Sequence, residues 1–145
     1  MPFLRLFWTT PSAAMSPMTE PKYAGFLPGR HLIEGYGGGG FRFAGMSHRG
    51  SILALPSGIH AWDAVNPSDI SVASLALVFA EAPGVIEHLL IGTGVGLMPL
   101  QKSVREKLRE IGIQAEPMAT GAAARTYAIL MAEDRRVAAA LLAVP

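Results

Sequence analysis

The segment from Val85 to Glu116 constrains the fold most tightly. Val85–Ile91 (VIEHLLI) has the β-branched and leucine content of a buried strand. Gly92-Thr93-Gly94-Val95-Gly96 then breaks the chain, and Pro99 suits the first turn of a helix. Leu97, Leu100, Val104, Leu108 and Ile111 recur at spacings of 3, 4, 4 and 3, which puts them on one helical face. Lys102, Arg105, Glu106, Arg109 and Glu110 cover the rest as a solvated surface. Gly112 ends the helix, and Ile113–Glu116 reads as the next strand. Strands joined through a helix run parallel, so this β-α-β unit predicts an α/β fold with helices lying on a sheet.

The length, 145 residues, suits one domain with a sizeable core. Hydrophobic residues make up 50% and charged residues 16%. Such a balance predicts a sheet covered on both faces, and some exposed apolar patch that marks a homodimer contact or a protein partner. The net charge is +1, from 12 basic and 11 acidic residues, and no basic patch argues for nucleic acid. Cysteine is absent, which excludes disulfides and cysteine zinc sites. No apolar run approaches the roughly 18 residues of a membrane helix. Phe3–Trp8 (FLRLFW) is too short for a secretory core, so the expected location is the cytoplasm. Prolines 2, 11, 17, 21 and 28 punctuate the beginning of the chain. Residues 1–28 are therefore expected to form a poorly ordered tail, with 29–145 as the single domain.

Within 30–62, short apolar runs flank Gly37-Gly38-Gly39-Gly40 as a hairpin would, and Ser51–Leu55 (SILAL) is the clearest buried strand. Ile70–Ala80 suggests a short helix stopped by Pro83-Gly84. His60 and Asp63 stand three apart without further ligands, and His31, His48 and His88 lack ligand spacing, so no metal is expected.

The chain closes on Glu116–Val144. Met118, Ala122, Ala123, Tyr127, Leu130 and Met131 fall at helical spacing, predicting a helix from Thr120 to Ala132 with Thr120 as its N-cap. Arg125 sits near the positive end of that helix, where the dipole gives a cation no help. It is either a solvated residue or half of an anion site. Both Gly92-Thr93-Gly94 and Met118–Gly121 lie where parallel strands end and helices begin, so the two turns should share one sheet edge. Gly92, Thr93, Gly94, Thr120, Gly121, Arg125 and Tyr127 are thus the candidate ligand-binding residues. The alternative is that the glycines merely turn the chain and Arg125 anchors a local carboxylate or carbonyl. Gly92, Gly94 and Gly96 with Glu116 approach a dinucleotide fingerprint, but the third glycine is one place early. A nucleophile elbow and a phosphate-loop lysine are both missing, leaving catalytic residues unassigned.

The ordered set GYGGGGFRF, GSILALPSGIHAWD, LLIGTG and EPMATGAAARTYAILMAEDRRVAAAL resembles the Mth938-like family of bacterial and archaeal domains of unknown function. Eukaryotic members of that family act in assembly of mitochondrial respiratory complex I, as assembly factor 3. The resemblance covers Leu32 to Val144. It implies a three-layer α/β domain with a mixed central sheet, helices on its faces and an extra N-terminal β-hairpin layer. It also implies that Val137–Val144 is the last strand, although its alanines alone suggest helix. The implied role is a non-catalytic binding or assembly factor without a cofactor, in respiratory-complex or membrane-protein biogenesis. A small-molecule or anion-binding protein, or an enzyme with its pocket at Gly92–Gly96 and Thr120–Arg125, is the alternative. Two positions depart from the family pattern: Ala128 follows Arg125-Thr126-Tyr127 where asparagine is common, and Ala124 stands where cysteine is common.

Overall fold

Alternation along the strands sorts the apolar residues into two cores, one on each face of a central sheet. The computed structural model describes residues 22–145. Its strands are β1 (Phe26–Pro28), β2 (Gly35–Gly37), β3 (Gly40–Phe43), β4 (Met46–Arg49), β5 (Ser51–Leu55), β6 (Gly58–Trp62), β7 (His88–Gly92), β8 (Gln114–Met118) and β9 (Val137–Leu141). The helices are α1 (Ala76–Phe79), α2 (Lys102–Glu110) and α3 (Thr120–Ala132). Six strands form one sheet in the order β1-β6-β5-β9-β7-β8, and β2-β3-β4 form a second, antiparallel sheet. In the large sheet β1, β6 and β5 are antiparallel neighbours, and β7 and β8 are parallel. The last strand, β9, pairs antiparallel with β5 and parallel with β7.

On one face Leu53, Leu55, Leu89, Ile91, Ala138 and Ala140 meet Leu75, Val78, Leu100, Val104 and Leu108 from the α1 and α2 side. On the other, Ile52, Ala54, Leu90, Ala139 and Leu141 meet Ala123, Ala124 and Tyr127 of α3 and Phe41 and Phe43 of the small sheet. The result is the expected three-layer mixed α/β fold, with a three-stranded sheet as the extra layer.

Several local expectations are corrected. Phe26–Pro28 was expected in the tail, but it pairs with β6, and just before it Tyr23 Oη and the Gly25 carbonyl also bond to that strand; residues 1–21 of the expected tail lie outside the described residues. Only Ala76–Phe79 of the 70–80 stretch is α-helical. Before it, the Ser71 amide donates to Ser74 Oγ (2.8 Å) and the Ser74 amide to Ser71 Oγ (3.0 Å), and these side chains compete with helix for the backbone. The crossover helix begins at Lys102, after Pro99 rather than upon it. Leu100, Val104 and Leu108 are its buried face, whereas Leu97 and Ile111 are 63% and 49% exposed. Strand β8 runs past Glu116 to Met118, and its edge position tolerates Pro117. Among the described residues no helix is long and apolar enough to cross a membrane.

Leu108 is fully buried between α2 and the sheet. Leu108→Ala should therefore lower stability by about 2–5 kcal/mol, read as a fall in the thermal midpoint with the far-UV spectrum of the folded state unchanged.

Candidate functional site

The turns after β7 and β8 do meet at one edge of the sheet, and two threonine hydroxyls hold them together. The Thr93 amide donates to the Met118 carbonyl at 2.8 Å. Thr93 Oγ1 lies 2.7 Å from the Gly96 carbonyl and 3.0 Å from that of Met118, and accepts from the Met98 amide at 2.9 Å. The Thr120 amide donates to the Gly94 carbonyl at 2.8 Å. Thr120 Oγ1 donates to the Leu142 carbonyl at 2.8 Å and accepts from the Gly94 amide at 3.0 Å. Thr93 and Thr120 are both buried. The ends of three parallel-running strands are thus sewn to one another, and both hydroxyls are spent on backbone groups.

Thr120 is not the N-cap of α3. Ala119 holds that position, and Thr120 is the first helical residue with its hydroxyl turned toward β9. A buried hydroxyl that satisfies two backbone groups at once outweighs a local cap.

The glycines have structural reasons. A Cβ on Gly92 would come 2.9 Å from Thr120 Cα and 3.0 Å from Leu141 Cδ2, so only glycine lets α3 approach β7 this closely. Gly94 has φ +105°, where other residues are strained. At Gly121 a Cβ would lie 2.5 Å from Tyr36 Oη. Tyr36, which sequence reasoning passed over, lies against the first turn of α3.

Arg125 belongs to this second contact and not to the Gly92–Gly96 turn. Its Nη1 donates to Tyr36 Oη at 3.3 Å, linking α3 to the small sheet. Tyr127 is 1% exposed within the α3-side core. Burial raises its pKa, partly opposed by the charge of Arg30, so it is a neutral core residue at ordinary pH. The structure therefore brings Gly92, Thr93, Gly94 and Thr120 together, places Gly121 and Arg125 beside Tyr36, and sets Tyr127 apart. Among the described residues no three His, Asp or Glu side chains converge as a metal would require.

Pinned by Thr93, the 93–98 loop holds Val95, Leu97 and Met98 outward, at 79%, 63% and 47% exposure. Leu97 was expected on the buried face of the crossover helix. The signal that could have found it was Pro99, which the helix does not include.

Thr120→Val keeps the shape and removes the hydroxyl, leaving the Gly94 amide and Leu142 carbonyl without this partner. A loss of about 1–3 kcal/mol is expected, with faster hydrogen exchange at Gly94 than in the parent.

A 41% identical relative is an uncharacterized protein of Rhodobacter capsulatus, matched over 87% of this chain and 92% of the relative. The zebrafish NADH dehydrogenase [ubiquinone] 1 alpha subcomplex assembly factor 3 is 38% identical over 79% of this chain, which spans 65% of that protein's length. The human protein of the same name is 32% identical, and the chain spans 61% of its length. Among solved structures, one from Bartonella henselae described as an outer membrane protein is 51% identical, with TM-score 0.78, covering 81% of this chain and 98% of its own. A Mth938-like domain from Bordetella pertussis is 32% identical, with TM-score 0.69, covering 77% of this chain and 85% of its own. Residues 33–142 match the family model described as protein of unknown function DUF498/DUF598, and with the order of strands and helices found here the chain belongs to that family.

Proposed function

We propose that this protein is a non-catalytic binding or assembly factor that docks a protein partner through the 93–98 loop. The observation that carries the reading is the exposure of Val95, Leu97 and Met98 on a loop whose backbone the Thr93 hydroxyl bonds at Gly96 and Met98. Exposed apolar residues grouped this way favour association, and a pre-ordered loop has little freedom to lose on binding. The similarity to complex I assembly factor 3 proteins supports subunits of a respiratory NADH dehydrogenase as the partners. The reading of a small-molecule pocket between the two turns draws less support, because Gly94 and Thr120 bond each other and Thr93 is bonded to Met118, Gly96 and Met98.

The double variant Val95→Asp, Leu97→Asp places two charges on the loop without touching the core. Surface substitutions of this kind change stability by about 0.5 kcal/mol or less, so the melting temperature should hold. NADH dehydrogenase subunits that co-purify with the parent should be lost from the variant. Their retention at parental levels contradicts the proposal. A parental dimer that light scattering shows becoming monomeric in the variant would instead identify a second copy as the occupant.

A further inference from the structure

The outward face of the small sheet has a composition that its structure does not require. Phe41, Phe43 and Met46 turn inward and are buried. The residues alternating with them, Arg42, Ser47 and Arg49, turn outward. On β2, Tyr36 lies against α3, so its neighbours Gly35 and Gly37 face the same way as the arginines. Gly40 adjoins them, opposite Arg49. The result is a groove of about 470 Å³ whose floor is bare backbone.

Two of these glycines are needed for the fold. Gly37 has φ +120°, and a Cβ at Gly40 would come 2.1 Å from the His48 carbonyl oxygen. Gly35 is different: it has no positive φ, and a Cβ there would meet nothing within 4 Å. Glycine weakens a strand, and where geometry does not call for it, it often marks the close approach of something else. Gly35 pairs with Arg42. Arg42 Nη1 donates to Ser47 Oγ at 2.7 Å, which steadies the guanidinium over the floor. Neither Arg42 nor Arg49 pairs with a carboxylate among the described residues. No Asp or Glu lines the groove.

Arg42 faces Ser47, and Arg49 stands two residues further along the same strand. Diagonal cross-strand neighbours are rooted about 7–8 Å apart, close enough for two long side chains to converge. Each guanidinium offers a planar fork of donors suited to carboxylate or phosphate oxygens. We infer that this groove binds a small ligand carrying two neighbouring phosphate or carboxylate groups, one for each arginine, with Gly35 left bare to admit it. The site lies apart from the 93–98 loop and does not depend on the function proposed for that loop.

Titration calorimetry of the full chain with inorganic pyrophosphate, and separately with inorganic phosphate, tests the inference. Pyrophosphate should bind saturably at one site and about tenfold or more tighter than phosphate, since it can engage both forks. Arg42→Gln and Arg49→Gln should each weaken it about tenfold or more. Arg105→Ala with Arg109→Ala, a second exposed basic pair on α2, should leave it unchanged. Gly35→Val should abolish binding while holding or raising the melting temperature, because a β-branched residue suits a strand better than glycine. If Gly35→Val instead unfolds the protein, Arg49→Gln decides. Absence of saturable binding, equal affinity for the two anions, equal weakening by the α2 pair, or full binding by folded Gly35→Val would each overturn the inference.

Discussion

Strand β9 is the member on which the rest of the structure depends. It alone hydrogen-bonds both to the antiparallel half of the large sheet, through β5, and to the parallel half, through β7. Its residues Val137 to Leu141 are buried on both faces. Three of them are alanine, a residue that strands ordinarily disfavour. Here Ala139 faces Ala54 across the pairing, and α3 brings Ala123 and Ala124 to the same core. Small side chains keep the sheet thin beneath α3, and burial on both sides offsets the weak propensity.

The close approach of α3 produces the geometry at the strand ends. Because Gly92 has no side chain, Thr120 reaches the Leu142 carbonyl just beyond β9 and the Gly94 amide just beyond β7. Thr93 then fixes the following loop. The same turns that resemble a ligand crevice in sequence therefore act as a clamp. What that clamp presents to solvent is apolar. In the same first turn of α3, Gly121 lets Tyr36 come close, and Arg125 donates to Tyr36 Oη, which joins α3 to the small sheet.

The α/β class and the parallel β7-α2-β8 unit were legible because they rest on local periodicity, which needs no knowledge of distant partners. The joint edge of the two turns followed from the same unit. Strand β9 was legible only through family resemblance, since burial on two faces is a tertiary fact that Val137–Leu141 do not advertise. The roles of Thr93 and Thr120 were hidden for a related reason. The partners through which they join separate strands lie 25 and 22 residues away, at Met118 and Leu142, and for Thr120 an N-cap was the nearest local explanation. Leu97 misled because its spacing matched the helix that begins after it. Arg42, Ser47 and Arg49 alternate visibly with core residues, but only the paired register shows that they share a face with Gly35.

Native-state hydrogen exchange tests the place of β9 most directly. If it holds the two halves together, the amides of Ala139, Ala140 and Leu141 exchange only by global unfolding, and those of the paired strands β5 and β7 do so with the same free energy of opening. Exchange of the β9 amides through a local opening, while β5 and β7 remain fully protected, would show that the sheet holds without it and would contradict the account.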